Sequence, residues 1–283
     1  MDSALRRFVP RNATWLAGFD VSSIQEAPLY RRHERQLDLP LLDAASERIG
    51  LNPRHDISEV LATWVNDEAS VIIRGQFSMQ RVMKKLISSG AREMKYRNET
   101  VLINGSQCVL FPAKNILVVG SKAAVQSVIE NEGHGDIPIE LAESLSTLPR
   151  GAQVWSVSKQ PLLSNHVPMR SEIGSALSNI AGYVTATAVA ANIASGLKMQ
   201  ADLICASEKG AEQVRDALRG VIGLARLTTK DDQLQMLRLY DAIHIDQDKQ
   251  TIHINADLPP ELADNLLAYL PRVQGKSEEM LSR

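Results

Sequence analysis

Cysteine and aromatic residues are both scarce in this sequence. Its two cysteines, Cys108 and Cys205, have no partner at the spacing of a metal or redox motif. We expect no disulfide between them, and we expect Cys205 to be a buried core thiol because it alternates with apolar residues. Aromatic residues make up 4% of the chain, which is too few for the stacking surfaces that bind single-stranded nucleic acids.

The sequence also lacks an excess of charge of either sign and a long apolar run. Its 31 basic and 33 acidic residues give a formal net charge of -2, and without a basic surface we expect no nucleic-acid partner. Residues 173–197 carry no charge, but they are too rich in polar and small residues for a transmembrane segment. Residues 1–10 lack the apolar core of a signal peptide. We therefore expect a cytoplasmic protein, or one whose export leader is not part of this sequence.

What the sequence does contain is a repeated pattern. Residues 10–15 (PRNATW) and 149–155 (PRGAQVW) each place Pro-Arg before an alanine and a tryptophan at the start of an apolar run. The strands and helices predicted after the two stretches follow the same order, with one additional hairpin in the first half. The pattern predicts an internal duplication, with one repeat over residues 1–135 and a second over residues 136–283. We expect Trp15 and Trp155 to anchor the two cores.

Each half is predicted to be an α+β unit, in which an antiparallel sheet carries its helices grouped on one face. Hairpins connect most of the predicted strands, and a hairpin joins antiparallel neighbours. Three helices are marked by apolar residues at helical spacing after a serine cap, at Ser78, Ser121 and Ser207. With helices on one face only, the other face would be covered by the second sheet or by a second copy of the chain.

Two histidines give the sharpest candidate site. A hairpin is predicted to turn at Asp248-Lys249, which places His244 opposite His253 and Asp246 opposite Thr251. Facing side chains lie about 5 Å apart, close enough for two imidazoles to share a metal ion, with Asp246 as a third ligand. The alternative is a solvated polar face opposite four isoleucines, and we expect that alternative, with no metal held there.

The other chemistry-bearing residues are expected to have structural roles. His55 and Asp56 put a base beside a carboxylate, but Asp56 has the spacing of a capping box with Glu59, which predicts a short helical turn. His134 and Asp136 lie in a glycine-rich stretch that we interpret as a polar linker between the two halves.

The sequence resembles a known family over nearly its whole length. The residues that carry the resemblance are Val9-Pro10, Ala13, Trp15, Gly18, Asp20, Leu51-Asn52-Pro53-Arg54, Asp56 and Glu59-Val60 in the first half, and Pro149, Ala152, residues 154–158, Ser207 and Leu218-Arg219-Gly220 in the second. With them, the chain is similar to a family of uncharacterised bacterial proteins, often exported, with two α+β repeats. The resemblance implies a periplasmic or surface location and implies no activity.

These patterns favour a non-catalytic protein that binds another macromolecule or assembles with itself. The predicted sheets and hairpin edges suit protein–protein contacts, whereas nucleophile motifs, paired carboxylates and metal clusters are missing from the sequence. We therefore predict no catalytic residue and no cofactor. The alternative is a hydrolase or metal-dependent enzyme that uses the hairpin of His244 and His253.

Overall fold

The computed structural model describes residues 3–34, 49–66, 68–131, 137–160, 180–230 and 233–269. They belong to two compact units, one that contains the chain up to Pro138 and one that spans Ile139–Leu267. Each unit combines helices with an antiparallel sheet, as the α+β class predicted. The predicted division between residues 135 and 136 stays a prediction, since both residues lie outside the described portion.

The first unit is built on a sheet whose strands follow the order β1-β2-β3-β7-β6-β5-β4. Its strands are β1 (Trp15–Asp20), β2 (Ile57–Val65), β3 (Glu68–Gly75), β4 (Arg92–Tyr96), β5 (Glu99–Asn104), β6 (Gln107–Ala113) and β7 (Ile116–Ser121). Its helices within the described residues are α1 (Ser3–Arg6), α2 (Val21–Glu26), α3 (Pro28–His33), α4 (Met79–Ser88) and α5 (Lys122–Asn131). The short strand β4 therefore lies at an edge of this sheet.

The second unit is built on a sheet with the strand order β8-β9-β10-β12-β11. Its strands are β8 (Val154–Ser158), β9 (Val184–Asn192), β10 (Leu197–Cys205), β11 (Ile243–Asp248) and β12 (Thr251–Leu258). Its helices within the described residues are α6 (Ile139–Ser146), α7 (Glu208–Thr228), α8 (Leu234–Asp241) and α9 (Pro260–Tyr269). Here β11 is the edge strand.

Helices cover both faces of the first sheet, so the prediction that helices group on one face is wrong. Leu102 of β5 packs with Leu86 of α4 on one face. Its neighbour Val101 points to the opposite face, because side chains alternate along a strand, and it is 2% exposed. On that second face Tyr96 donates a hydrogen bond to Glu130 of α5. Successive apolar residues in a strand need cover on both faces, which the one-sided interpretation overlooked.

The second sheet is also covered on both faces. Ile245 and Ile252 pack with Val214 of α7 on one face. Asp202, which points to the other face, accepts a hydrogen bond from the hydroxyl of Thr147, one residue after the end of α6. Helix α6 also contacts β8 and β9. The two helices therefore lie on opposite faces of this sheet.

The predicted serine caps are confirmed, and the predicted helical turn at Asp56 is wrong. The hydroxyls of Ser78, Ser121 and Ser207 each accept a hydrogen bond from the backbone N–H three residues on. Asp56 does not begin a helix, because β2 starts at Ile57. Its carboxylate instead accepts from the backbone N–H of Asn52 at 2.8 Å. A carboxylate that caps a helix and a carboxylate that closes a turn both accept from a backbone N–H. The spacing of Asp56 and Glu59 alone therefore does not distinguish the two roles.

Candidate functional site

The β11–β12 hairpin pairs in a different register from the one predicted. His244 lies opposite Asn255, and His253 lies opposite Asp246, so the predicted opposition of the two histidines is wrong. The turn consists of Lys249 and the residue after it, and Lys249 adopts a left-handed conformation with φ 51°. A turn displaced by one residue shifts the pairing by two, which keeps each side chain on its face but changes its partner.

The side chains of the three metal candidates contact different groups, although Asp246 lies opposite His253 in this register. The Nδ1 atom of His244 is 3.2 Å from the carbonyl of Ala242, and the carboxylate of Asp246 is 3.7 Å from the guanidinium of Arg219. Among the described residues, no three His, Cys, Asp or Glu side chains are grouped closely enough to hold a metal ion. A metal site at His244, His253 and Asp246 stays a hypothesis for elemental analysis to decide.

His253 belongs to a polar cluster that centres on a buried carboxylate. Asp202, in β10, is 2% exposed and lies opposite His253 in β12. Its Oδ1 is 2.8 Å from Nδ1 of His253. Its Oδ2 accepts from the hydroxyl of Thr147 at 2.8 Å and from the side-chain amide of Gln200 at 3.1 Å. Both oxygens of this buried carboxyl group are therefore hydrogen-bonded, as is usual for buried polar atoms.

The pair of Asp202 and His253 can hold and move a proton. A carboxylate that accepts from Nδ1–H fixes the tautomer of an imidazole and leaves Nε2 available as a base. The side chain of His253 is 39% exposed, so solvent reaches it. Within the described chain, however, no hydroxyl or thiol is bonded to this ring, because the hydroxyl of Thr147 is already committed to Asp202. Among the residues that the structure describes, the pair therefore has an oriented base but no activated nucleophile.

A cavity of about 440 Å³ lies beside this cluster in the second unit. Gln200 lines it and also donates to Asp202, and the polar residues around it include Arg150, Asn192, His244 and Asn255. The size is that of a small-metabolite pocket. Among the described residues, the lining of the cavity contains one ion pair. The two charges of this pair cancel, so the lining carries little net charge. The chemistry of the lining therefore does not select one ligand class.

The edge strand β4 has one side that pairs with no described strand. In the described part of the chain it pairs with β5 alone, so its outer side presents backbone N–H and C=O groups for another strand. Arg92, Glu93 and Lys95 are exposed, and Met94 and Tyr96 are partly buried. Glu93 and Lys95 form no ion pair with any described residue.

The edge strand β11 of the second unit is closed by an arginine. The guanidinium of Arg219, from α7, donates to the carbonyl of Ile245 through both Nε, at 3.2 Å, and Nη2. The same guanidinium lies 3.7 Å from Asp246 on the strand. Charged side chains that occupy edge groups are a common protection against unwanted strand pairing.

The remaining candidates from the sequence form no site. Cys108 and Cys205 are 1% and 2% exposed, which confirms the buried position predicted for Cys205, and burial raises the pKa of both thiols. His55 is exposed beside its turn. His134 and Asp136 lie outside the described residues.

The cluster around Asp202 could not be predicted from the sequence. Asp202 alternates with Gln200 and Lys198, which reads as a solvated strand face. Only the pairing of β10 with β12, two strands that are distant in sequence, brings Asp202 to His253.

Comparison with known proteins reveals the fold and little else. No protein-family model and no curated protein matches the chain. Among solved structures, it is similar to crystal forms III and IV of TP0453, a protein of the bacterium Treponema, with TM-scores of 0.55 and 0.53. The identities are 12% and 11%, and the matches cover 93% of this chain and 97% and 94% of the other. At such identities the likeness concerns the fold alone, and it is compatible with the bacterial family resemblance.

No helix among the described residues is both long enough and apolar enough to cross a bilayer.

Proposed function

We propose that this chain is a non-catalytic binding or assembly protein that acts through protein–protein contacts, with β4 as its contact strand. The observation that carries the proposal is the unpaired edge of β4, where exposed charges have no partner among the described residues. Strand addition at such an edge is a common mode of protein recognition, in which backbone hydrogen bonds give affinity and alternate side chains give specificity.

A photo-crosslinking amino acid at position 94 tests this function. Met94 lies at the centre of β4 and is partly buried, so a probe there stays close to any added strand. In the cells from which the chain comes, we expect discrete protein adducts, which mass spectrometry identifies. The matched control is the same probe at Lys84, an exposed residue of α4 in the same unit. Absence of any protein adduct at position 94 would contradict the proposed function.

The second candidate function is a hydrolase or metal-dependent enzyme that uses His253. It is favoured by one observation, the 2.8 Å contact that holds the imidazole against Asp202, and it needs a nucleophile or metal-bound water from elsewhere. Elemental analysis and an ester-hydrolysis screen, both on the purified chain, test it. A stoichiometric metal, or an activity that His253→Gln removes without unfolding the chain, would place this candidate first.

We also propose that the two units descend from an internal duplication. In the first unit β1, β2 and β3 are consecutive neighbours, a helix follows, and β7 returns beside β3. In the second unit β8, β9 and β10 are consecutive neighbours, α7 and the additional short helix α8 follow, and β12 returns beside β10. The hairpin of β4 and β5 is then the additional one of the first unit. If superposition of the two units leaves Trp15 and Trp155 at unrelated positions, that result would contradict the duplication.

A further inference from the structure

The charges of β4 are complementary to those of a second β4. From Arg92 the strand reads Arg-Glu-Met-Lys-Tyr, with a basic residue, an acidic residue, an apolar centre and a second basic residue in order. We propose that the partner of β4 is β4 of a second copy of this chain, paired antiparallel about a two-fold axis at Met94. This inference rests on the function proposed above and names its partner.

The register at Met94 follows from the positions of the charges. Centred there, an antiparallel pair places Glu93 opposite Lys95 of the second copy and, by symmetry, Lys95 opposite its Glu93. Opposite charges that face each other across strands stabilise the pairing, and like charges destabilise it. An axis at Glu93 places two glutamates opposite each other, and an axis at Lys95 places two lysines opposite each other. Of the three registers centred on these residues, only the register at Met94 places each Glu93 and each Lys95 opposite a residue of opposite charge.

The two faces of β4 would then carry different contacts. Glu93 lies opposite Leu102 of β5, on the face covered by α4, and both Glu93 and Lys95 are exposed there. On the other face, Arg92 meets Tyr96 of the second copy, where a guanidinium can lie over the phenol ring. The hydroxyl of Tyr96 donates to Glu130 at 2.5 Å, which holds the ring in place before any pairing.

The edge strand β11 has the opposite properties and serves as an internal comparison. Its acidic residues are Asp246 and Asp248, and it contains no lysine or arginine. In a symmetric pair of two β11 strands, therefore, no opposite charges of the strand itself can face each other. The guanidinium of Arg219 already occupies the carbonyl of Ile245 as well. Charge complementarity to a second copy is thus a property of β4 and not of both edges.

The expected dimer is weak. A stable interface buries about 1,200–2,000 Å² in total, and a pair of five-residue strands offers less, so we expect a dissociation constant on the order of 10–100 µM. Its strength should fall with added salt, because the ion pairs lie at the surface.

Sedimentation equilibrium of the full chain tests the pairing through charge reversal. By symmetry, Glu93→Lys or Lys95→Glu alone converts two ion pairs into two like-charged pairs, so each should weaken the dimer about tenfold or more. The double reversal, Glu93→Lys with Lys95→Glu, restores opposite charges and should return the dissociation constant to within about threefold of the original. Lys84→Glu, a reversal at an exposed residue of α4, should leave it unchanged.

A disulfide at the axis gives a second, independent test. Facing residues of an antiparallel pair have Cα atoms about 4.5–5.5 Å apart, within the range that a disulfide spans. Met94→Cys should therefore form a covalent dimer under mild oxidation, and Lys84→Cys should not. The native thiols do not interfere, since Cys108 and Cys205 are 1% and 2% exposed.

The outcomes separate this inference from the function on which it rests. A chain that is monomeric up to about 500 µM, well above the dissociation constant expected for a small interface, overturns the self-pairing. So does a double reversal that fails to restore association. In either case a crosslinked adduct of position 94 with a different protein keeps the binding function, and absence of any adduct removes both.

Discussion

The two edge strands, β4 in the first unit and β11 in the second, have similar lengths but opposite surroundings. In β11 the carbonyl of Ile245 is bound by Arg219, and the strand itself carries only acidic charges. In β4 the charges alternate in sign, and Glu93 and Lys95 are uncommitted within the described chain. The difference shows how to distinguish a strand that is protected against pairing from one that is available for it.

The units also differ in what lies beneath their helices. In the first unit the polar groups between β2 and β3 are a neutral hydrogen bond of 2.7 Å between the buried hydroxyls of Thr63 and Ser70 and an ion pair of 2.9 Å between Glu59 and Arg74. In the second unit one face contains the ionisable pair of Asp202 and His253. Units of related topology therefore combine similar apolar packing with different buried polar groups.

The largest expected effect concerns the tryptophan in the first strand of each unit, Trp15 in β1 and Trp155 in β8. Trp155 is 7% exposed, so Trp155→Ala should lower the free energy of unfolding by about 3–5 kcal/mol, through lost burial and a cavity. Trp15 is half-buried and stacks on Trp64 with ring centroids 4.2 Å apart, so Trp15→Ala should cost less. Denaturant unfolding measures both. A loss below about 1 kcal/mol for Trp155→Ala would contradict its role as a core anchor.

Removal of the buried carboxylate should have the next largest effect. Asp202→Ala removes the acceptor of His253 and one acceptor each of Thr147 and Gln200, which also donate to the carbonyls of Ser144 and Thr147. The loss of three hydrogen bonds around a buried position should cost about 2–3 kcal/mol. The comparison in the first unit is Ser70→Ala, which removes one neutral hydrogen bond and should cost about 1 kcal/mol. Equal losses in denaturant unfolding would show that the charged cluster is no more important than the neutral pair.

Opening the edge of β11 should have a smaller effect on stability. Arg219→Ala frees the carbonyl of Ile245 at an exposed site and should cost about 1 kcal/mol or less. It should also increase association, because the edge then resembles that of β4. Light scattering at increasing protein concentration measures this, with Lys209→Ala as a control at an exposed residue of the same helix. Unchanged scattering would mean that Arg219 does not protect the edge.

The smallest expected effect is a dependence on pH at the first helix of the second unit. A backbone hydrogen bond, and then Lys159 at 3.0 Å, lower the pKa of Glu140 from its ordinary 4.5. A lowered pKa adds stability that is present above the ordinary value and is lost as the pH falls through the folded value. Glu140→Gln should therefore reduce the fall in melting temperature between pH 7 and pH 3. An identical fall in melting temperature in both proteins would contradict the lowered pKa of Glu140.

Local signals in the sequence predicted much of the fold. The hydroxyls of Ser78, Ser121 and Ser207 cap their helices as their spacing indicates, because a cap depends on residues only three positions apart. The placement of helices on both faces was missed. Strands such as β5 bury successive residues, Val101 and Leu102, and a short apolar run does not reveal from which side it will be covered.

The candidate site was harder to predict from the sequence than the fold was. The hairpin was predicted with its polar face correctly assigned, but the position of the turn was wrong by one residue, and so His244 and His253 do not face each other. Asp202 was not predicted, because its contact with His253 depends on the pairing of β10 with β12, which are separated in the sequence by α7, α8 and β11. Such long-range pairing leaves no local pattern, and the alternation around Asp202 is that of any solvated strand face.

Amide hydrogen exchange on both edge strands at several protein concentrations measures the pairing of β4 directly. We expect the amides of β4, Arg92–Tyr96, to exchange several-fold more slowly at high than at low concentration, because a second β4 pairs with the strand. The amides of β11, Ile243–Asp248, should exchange at the same rate throughout. Exchange in β4 that is independent of concentration, or protection that appears in β11 instead, would contradict the pairing of β4.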